Sequence, residues 1–438
     1  MSERIRVVIV GAGARGNRVF AALMAREDVG FETVGVVEPH PARRAAFCER
    51  YGIAESQSFV TLEEFLEAPR FGDIVFICTP DVTHYAHARA VSEKGYDILL
   101  EKPIATSLPD CLALIDVEQT HRNRIFVAHV LRYSPFFRAV KEIVESGRLG
   151  AIRNVQLHEN VGHWHYAHSY VRGNWGREAT SGPILLTKSS HDLDILYWLV
   201  GARVESVVSY GGRTYFRREN APPESTERCL DCPLRETCLY SATRLYLNDR
   251  DEWPYNVIAP PPDTIDERRR ALETGPYGRC VWKCDNDVCE EQTVLLRFAS
   301  GLHATLGLHA HTAENTRTLR ILFDTAELSG NLVRGELSIS HFTGLPGTVP
   351  VERIELPPVS DSQSHGGGDL RLLRMLHEHL TTGAHAALMT SLQSSLPSHA
   401  LAFLAEQSRL EGTVQIPVPE VFSPDAIQRL KRATLARA

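Results

Sequence analysis

The chain has 438 residues, 43% hydrophobic and 23% charged, a balance that fills a large interior and rules out disorder as its default state. A formal net charge of -7 and the lack of any stripe of Lys and Arg exclude nucleic acid as a partner. No apolar stretch reaches the roughly 20 residues that cross a bilayer, and the N-terminus runs straight into a strand, so the chain reads as cytoplasmic, with no membrane partner.

Taken in order, Ile5 to Val10 is a short β-branched run ending at Gly11, and Arg15 to Arg26 sets Val19, Phe20, Leu23 and Met24 at helical spacing. Thr33 to Val37 is a second strand, after which Pro41 opens a helix that Gly52 closes. Thr61 and Glu64 form a capping box ahead of Phe65 and Leu66. Asp73 to Cys78 is a buried strand, a helix from about His84 stops at Gly95, and Asp97 to Leu100 is the next strand. Alternation of this kind, with wholly apolar strands, predicts a doubly wound parallel sheet covered by helices on both faces.

After about residue 130 the rhythm changes. Asn154 to Val161 alternates as a half-buried strand, and Ser189 to Val200 reads as an amphipathic helix. Val294 to Phe298, Leu302 to His309 and Thr318 to Phe323 follow as strands of an antiparallel or mixed sheet. Residues 220–290, rich in Pro, Cys and charge, read as an irregular insertion, and helix returns from Asp369. The expectation is an α/β protein of two domains: 1–128 with the parallel sheet, and 129–438, an α+β domain with a large open sheet and C-terminal helices over 369–438.

Gly11, Gly13 and Gly16 form a GxGxxG between a strand and a helix, the context that gives this motif its meaning. The first glycine allows the tight turn, the second lets the backbone approach a pyrophosphate, and the third lets helix and strand pack closely. Ala14 and Arg15 open the helix whose N-terminus faces the phosphates. Glu38 ends the second strand about 20 residues on, where an acid accepts hydrogen bonds from ribose hydroxyls and repels an additional phosphate. A Rossmann domain holding NAD in preference to NADP is therefore expected, although Arg43 and Arg44 lie near enough in sequence to meet a ribose phosphate.

Glu101-Lys102-Pro103 closes a strand at the sheet edge where ligands sit in open α/β folds, and the proline restricts Lys102 to extended backbone, which aims its ammonium. Together with the glycine turn, Thr79-Pro80, His84 and the segment Lys188-Ser-Ser-His191-Asp192-Leu-Asp194, these residues make the sequence resemble the Gfo/Idh/MocA oxidoreductases over nearly the whole chain. The resemblance implies a Rossmann domain whose cofactor meets Thr79, Pro80, His84, Glu101 and Lys102. It implies a second domain whose open sheet faces the nicotinamide on one side and often mediates contacts on the other, hence a homo-oligomer, dimer or tetramer. It also implies that Lys102 and His191 approach the reacting hydroxyl. Many members carry an aspartate four residues before this histidine; this chain has Thr187 there, with Lys188 beside it, a departure from the usual three-residue proton relay.

Oxidising a secondary alcohol requires a base with a pKa near the working pH, which suits Lys102 or His191. Two lysines in one cleft with an oxidised nicotinamide disfavour each other's charge, which makes Lys188 a third catalytic candidate. Lys188, His191 and Asp194 share a helix face, so Asp194 is placed to orient His191; Asp192, beside His191, is a candidate substrate contact. The segment from His158 to Trp175 mixes aromatic and hydrogen-bonding side chains as a polyhydroxylated ligand requires, which nominates Trp164, His165, His168, Arg172 and Asn174 as substrate contacts; an interdomain or oligomer contact is the alternative.

Of 9 cysteines, Cys48, Cys78 and Cys111 read as small core residues. Cys229-x-x-Cys232, Cys238 and Cys280 or Cys284 have the makings of a structural zinc site; free or reversibly oxidised thiols are the alternative, and the spacing matches neither common ferredoxin run. His365 and Asp369 flank a glycine run that either enters the cleft or only routes the chain. The function expected is NAD-dependent oxidation of a secondary hydroxyl on a sugar, sugar derivative or cyclitol, within carbohydrate metabolism. Two alternatives are an NAD-recycling glycoside hydrolase that works by transient oxidation and elimination, and a non-catalytic sugar or dinucleotide sensor.

Overall fold

Strands that are apolar along their whole length need cover on both faces, and parallel pairing with crossover helices supplies it. Ile5–Val10 (β1), Phe31–Val37 (β2), Ser58–Phe59 (β3), Ile74–Ile77 (β4), Asp97–Leu100 (β5) and Ile125–Val127 (β6) form such a parallel sheet in the order β3-β2-β1-β4-β5-β6. The structure, a computed structural model, describes residues 4–357 and 364–419. The part of the expected C-terminal helical region from 420 onward lies outside them. The order in which strands are added to the sheet reverses between β1 and β4, so their carboxyl ends flank the crevice where open α/β sheets bind ligands.

The second sheet contains Ile152–Val161 (β7), Val204–Gly212 (β8), Glu291–Phe298 (β9), His303–His309 (β10), Asn315–Phe323 (β11), Ala326–Asn331 (β12), Glu336–His341 (β13), Val351–Arg353 (β14) and Ile416–Pro417 (β15). Its order is β14-β13-β12-β11-β7-β10-β9-β8-β15, with β7 and β10 parallel and the other pairs antiparallel, so the sheet is mixed. Val155, Leu157, Val294, Leu296, Leu306 and Ile321 bury one face under the helices Pro135–Ser146 and Ser190–Val200. The opposite face is open, with Leu295 of β9 44% exposed on it.

Two elements depart from the sequence expectation. Ser190–Val200 is buried nearly all round instead of along one stripe, because the sheet lies on one side of it and helix Leu392–Leu410, helix Pro135–Ser146 and the Val130–Tyr133 turn pack on the others. Helix Gly368–Thr382, expected with the second domain, sets Leu370, Leu372, Leu373 and Leu376 among the core residues of the first sheet beside Val7, Ile9 and Phe31. The following helix, Leu392–Leu410, gives Leu392 and Leu396 to the first sheet and Leu401 and Leu404 to the second. Among the described residues, no helix is long and apolar enough to cross a membrane.

Residues 220–290 hold only short helices, chiefly Ala242–Tyr246 and Ile265–Thr274, around small apolar clusters. They reach back to the first domain, where Arg18 donates to the Asn256 carbonyl at 3.0 Å.

Candidate active site

The glycine turn is built by exclusion. Gly11 has φ 96°, and a Cβ there would lie 2.8 Å from the Cys78 carbonyl oxygen. At Gly16 a Cβ would lie 2.1 Å from the Gly11 carbonyl oxygen, so the helix beginning at Ala14 and Arg15 packs directly onto β1. At Gly13 it would meet nothing within 4 Å, which leaves a bare approach to the helix N-terminus, and no side chain caps that end. These residues fit a pyrophosphate. Glu38 is buried and accepts from Ala12 N–H at 3.0 Å and His40 N–H at 2.9 Å, while Arg44 is turned back onto the Glu38 carbonyl at 2.7 Å.

Lys102 follows β5 through a cis peptide to Pro103, and its Nζ donates to the Thr187 carbonyl. Burial lowers the Lys102 pKa, with Lys188 and Arg15 adding to the effect and Asp81 and Glu101 opposing it. The His84 ring bridges the Pro103 and Thr79 carbonyls at 2.6 and 2.9 Å, which ties the Lys102 turn to the Thr79-Pro80 turn at the end of β4.

His191 is buried, and its Nδ1 has no hydrogen-bond partner. Burial first, then the charge of Lys102, lowers its pKa well below the ordinary histidine value. The rings of His129 and His365 stand 5.5 and 5.8 Å away. Asp194 does not orient it. That carboxylate makes a two-point pair with Arg132, both contacts 2.6 Å, because the helix turns Asp194 toward the Val130–Tyr133 turn.

A second layer of charge comes from the sheet. Lys188 lies 3.4 Å from Glu159, Glu159 lies 2.5 Å from Arg317, and Arg317 donates to Asp192 at 2.6 Å. Glu159 and Arg317 sit opposite each other in the β7–β11 register. Burial, with Glu159 nearby, pushes the Asp192 carboxyl up to about 6 in spite of Arg317. From the first domain, Arg15 bridges Glu101 at 2.5 Å and Asp369 at 2.7 Å, and Asp369 meets His365 Nδ1 at 2.8 Å. Burial alone would raise the Asp369 carboxyl; Arg15 and His365 outweigh it and hold it well below the ordinary range. The glycine run thus delivers His365 to the cleft.

The aromatic segment divides. Trp164 stacks on His165 at 5.7 Å, and His165 meets Asn315 at 3.0 Å within the field of Lys188 and Arg317. His168 and Arg172 turn away: His168 meets the Tyr246 hydroxyl at 2.7 Å and stacks on Tyr277, and Arg172 donates to the carbonyls of Tyr240 and Arg279. The insertion packs along this segment, with Trp253 4.7 Å from the His165 ring and 5.4 Å from that of His168, and its Tyr246, Tyr240 and Arg279 take up the polar groups of His168 and Arg172. Asn174 is exposed, whereas its neighbour Trp175, not among the nominated residues, donates to Asp81 at 2.8 Å beside Lys102. Cys229, Cys232, Cys238 and Cys280 line one small cavity, but among the described residues no three His, Cys, Asp or Glu side chains are gathered in a metal-holding group as they stand.

Glu159, Arg317, Asp81 and Arg15's two carboxylates were not legible as a set. Glu159 interrupts the apolar face of its strand, a usable signal; its partner is decided by strand pairing.

Hydride exchange calls for a flat dinucleotide and a proton acceptor on the same side of one cleft. The bare glycine turn and the Lys102–His191 pair meet that requirement where the two domains face each other, and the class is a dinucleotide-dependent oxidoreductase. Residues 5–129 match the profile described as oxidoreductase family, NAD-binding Rossmann fold, and residues 141–246 the profile described as oxidoreductase family, C-terminal alpha/beta domain. The chain belongs to the Gfo/Idh/MocA oxidoreductase family. It is 24% identical to a putative oxidoreductase, YteT, of Bacillus subtilis over 84% of this chain and 88% of that one. It is 29% identical to an inositol 2-dehydrogenase of Corynebacterium glutamicum over 47% of this chain and 57% of that one. The fold is shared with a levoglucosan dehydrogenase solved with NADH and levoglucosan, at TM-score 0.69 and 17% identity, covering 95% of this chain and 100% of that one.

Proposed function

We propose that this protein oxidises a secondary hydroxyl of a sugar, sugar derivative or cyclitol, with NAD as the hydride acceptor. The observation that carries the reading is the convergence of Lys102 and His191, whose Nδ1 has no hydrogen-bond partner and which lies within the field of the Lys102 charge, beside the open glycine turn. Names of similar proteins support the substrate class: one is an inositol 2-dehydrogenase and another a levoglucosan dehydrogenase. The cleft charges support it as well, since Lys188, Arg317, Glu159 and Asp192 pair among themselves and suit neutral hydroxyls better than a charged ligand.

When bound, NAD supplies a nicotinamide that accepts hydride. The protein's part is binding, aim and proton movement. Gly11, Gly13, Gly16 and the backbone N–H groups at Ala14 and Arg15 hold the pyrophosphate; Glu38 takes the ribose hydroxyls and disfavours NADP. Lys102 donates a hydrogen bond to the reacting hydroxyl oxygen, and His191 accepts its proton. Trp164, His165 and Asp192 line the substrate side. No step calls for a metal, so the zinc expected at the insertion's cysteines is proposed as structural. The open face of the nine-stranded sheet is proposed as the homo-oligomer contact.

The test uses a panel of free sugars, cyclitols and glycosides with NAD. NADH formed in proportion to ketone product supports the reading; aglycone release without NADH accumulation would replace it with NAD-recycling hydrolysis. Lys102→Ala is expected to retain dinucleotide binding by calorimetry and to lose turnover by about 10²-fold or more. Near-normal rates would remove Lys102 from the mechanism.

A further inference from the structure

Four arginines are buried among the described residues: Arg132, Arg172, Arg268 and Arg317. Three of them face a carboxylate: Arg132 with Asp194 at 2.6 Å, Arg268 with Asp263 at 2.8 Å, and Arg317 with Asp192 at 2.6 Å. Arg172, 3% exposed, does not. Its N–H groups go to the Arg279 and Tyr240 carbonyls at 2.7 Å each and to Cys229 Sγ at 3.4 Å, and its Nη1 has no hydrogen-bond partner. A guanidinium cannot shed its proton, so a buried one without an anion is strongly destabilising. The charge that answers it has to come from its surroundings.

Those surroundings are sulfur. Arg172 lines a cavity of about 20 Å³ together with Cys229, Cys232, Cys238 and Cys280; Tyr240 and Trp282 close it, and the two further arginines on its wall are held elsewhere, Arg228 on the Leu272 carbonyl and Arg235 on Glu236. The backbone brings the sulfurs together from two places. Cys232 N–H donates to the Cys229 carbonyl at 3.3 Å, the turn that lets a C-x-x-C pair chelate. An isolated antiparallel bridge joins Arg228 to Arg279, with Cys229 N–H on the Gly278 carbonyl at 2.8 Å, so the residues next to Cys229 and Cys280 are cross-linked. None of the four is in a disulfide. As neutral thiols they leave Arg172 without a counter-charge; as metal-bound thiolates they supply one.

We propose that Cys229, Cys232, Cys238 and Cys280 hold a metal centre as thiolates, and that Arg172 is buried beside them to offset part of its negative charge. Four thiols release four protons to solvent on binding. Four thiolates on a zinc ion, or on an iron–sulfur cube of core charge two plus, leave a net charge of minus two, of which the guanidinium answers one. No three of the sulfurs meet at one point as the side chains stand. A χ1 change swings a cysteine sulfur by about 3 Å, enough to turn them inward onto a zinc ion; an iron–sulfur cube, which takes one thiolate on each of its four irons, would require the cavity to widen.

The centre has a place in the architecture. Arg172 lies on the segment that also carries Trp164 and His165, while the insertion carries Trp253, whose ring stands 5.6 Å from Trp164 and 4.7 Å from His165. The metal therefore pins the insertion to the substrate-side wall, at a distance from the reacting atoms. The proposal is independent of the hydride-transfer reading and can fail or survive alone.

The test measures metal and acid-labile sulfide in full-length protein purified without oxygen. Wild type is expected to hold either about one zinc or an iron–sulfur cluster per chain; iron with equimolar sulfide and a visible charge-transfer band identifies the cluster, zinc alone the mononuclear site. Cys232→Ser and Cys280→Ser should lower bound metal at least tenfold, and Cys48→Ser, outside the cavity, should not. Since a cysteine variant can fail to fold, wild type is also stripped with a chelator. Stripping should expose residues 220–290 to protease while dinucleotide binding persists, and adding back the metal should restore protection. Arg172→Met should lose metal to chelator at least tenfold faster than wild type. Wild type that binds neither zinc nor an iron–sulfur cluster after reconstitution, or metal content unmoved by the Cys232 and Cys280 substitutions, overturns the proposal.

Discussion

Gly13→Ala separates binding from folding more cleanly than any other single change in the glycine turn. Gly13 has φ -75° and ψ -161°, a conformation open to any residue, and an added Cβ meets nothing within 4 Å. As the residue capping a helix N-terminus, glycine is somewhat better than alanine, so the free protein should lose no more than about 1 kcal/mol. The dinucleotide is affected differently: a methyl group on the bare approach pushes the pyrophosphate off the backbone N–H groups. Losing one hydrogen bond to a charged group is worth roughly 1.5–3 kcal/mol, or a Kd weaker by about 10- to 150-fold. Gly16→Ala is the counterpart, because its Cβ would stand 2.1 Å from the Gly11 carbonyl oxygen and force the helix off β1, at about 1–3 kcal/mol of stability or more. Calorimetric titration with NAD gives the first quantity and urea unfolding without ligand the second. A Gly13→Ala protein that binds NAD as tightly as wild type would refute the placement of the pyrophosphate over this turn.

Three further outcomes are expected. Asp369→Asn removes one of the two carboxylates that hold Arg15, leaving Glu101, and should destabilise the protein by about 1.5–3 kcal/mol at neutral pH. Because the native Asp369 carboxyl sits below its ordinary value, that contribution is present above about pH 4 and fades in more acidic solution, so wild-type and variant urea midpoints should converge there; midpoints separated equally at every pH would contradict it. His168, buried and pushed down to about 3, binds its proton more readily unfolded, so its contribution is full above about pH 6.5 and is lost as pH falls toward 3. His168→Gln should therefore flatten the decline of Tm between pH 6.5 and 5, and an unchanged slope would count against the assignment. Glu38→Ala should narrow the preference for NAD over NADP by about tenfold, or 1.4 kcal/mol, read from the two dissociation constants; an unaltered ratio would mean that Glu38 does not face the ribose.

Much of the catalytic edge could be read from the chain because its requirements are local. Gly11 needs a positive φ, Gly16 a missing Cβ, and Lys102 an extended backbone before proline, and each is visible within a few residues. Asp194 shows the limit. Helical spacing put it on the face of His191, yet Arg132, 62 positions away in sequence, claims the carboxylate. His168 and Arg172 failed as cleft residues for a similar reason, since the insertion that absorbs them is irregular and gave no periodic signal.

Sequence alone determined the parallel sheet, the glycine turn and the strand-end positions of Glu38 and Lys102, since period-two and helical patterns, turn residues and caps act between near neighbours. Tertiary structure decided which charges meet. Arg317 finds Glu159 only through the register of β7 with β11, and Arg15 finds Asp369 across 354 positions because helix Gly368–Thr382 returns to the first sheet. Such contacts depend on how distant elements are brought together, and no local pattern encodes that choice.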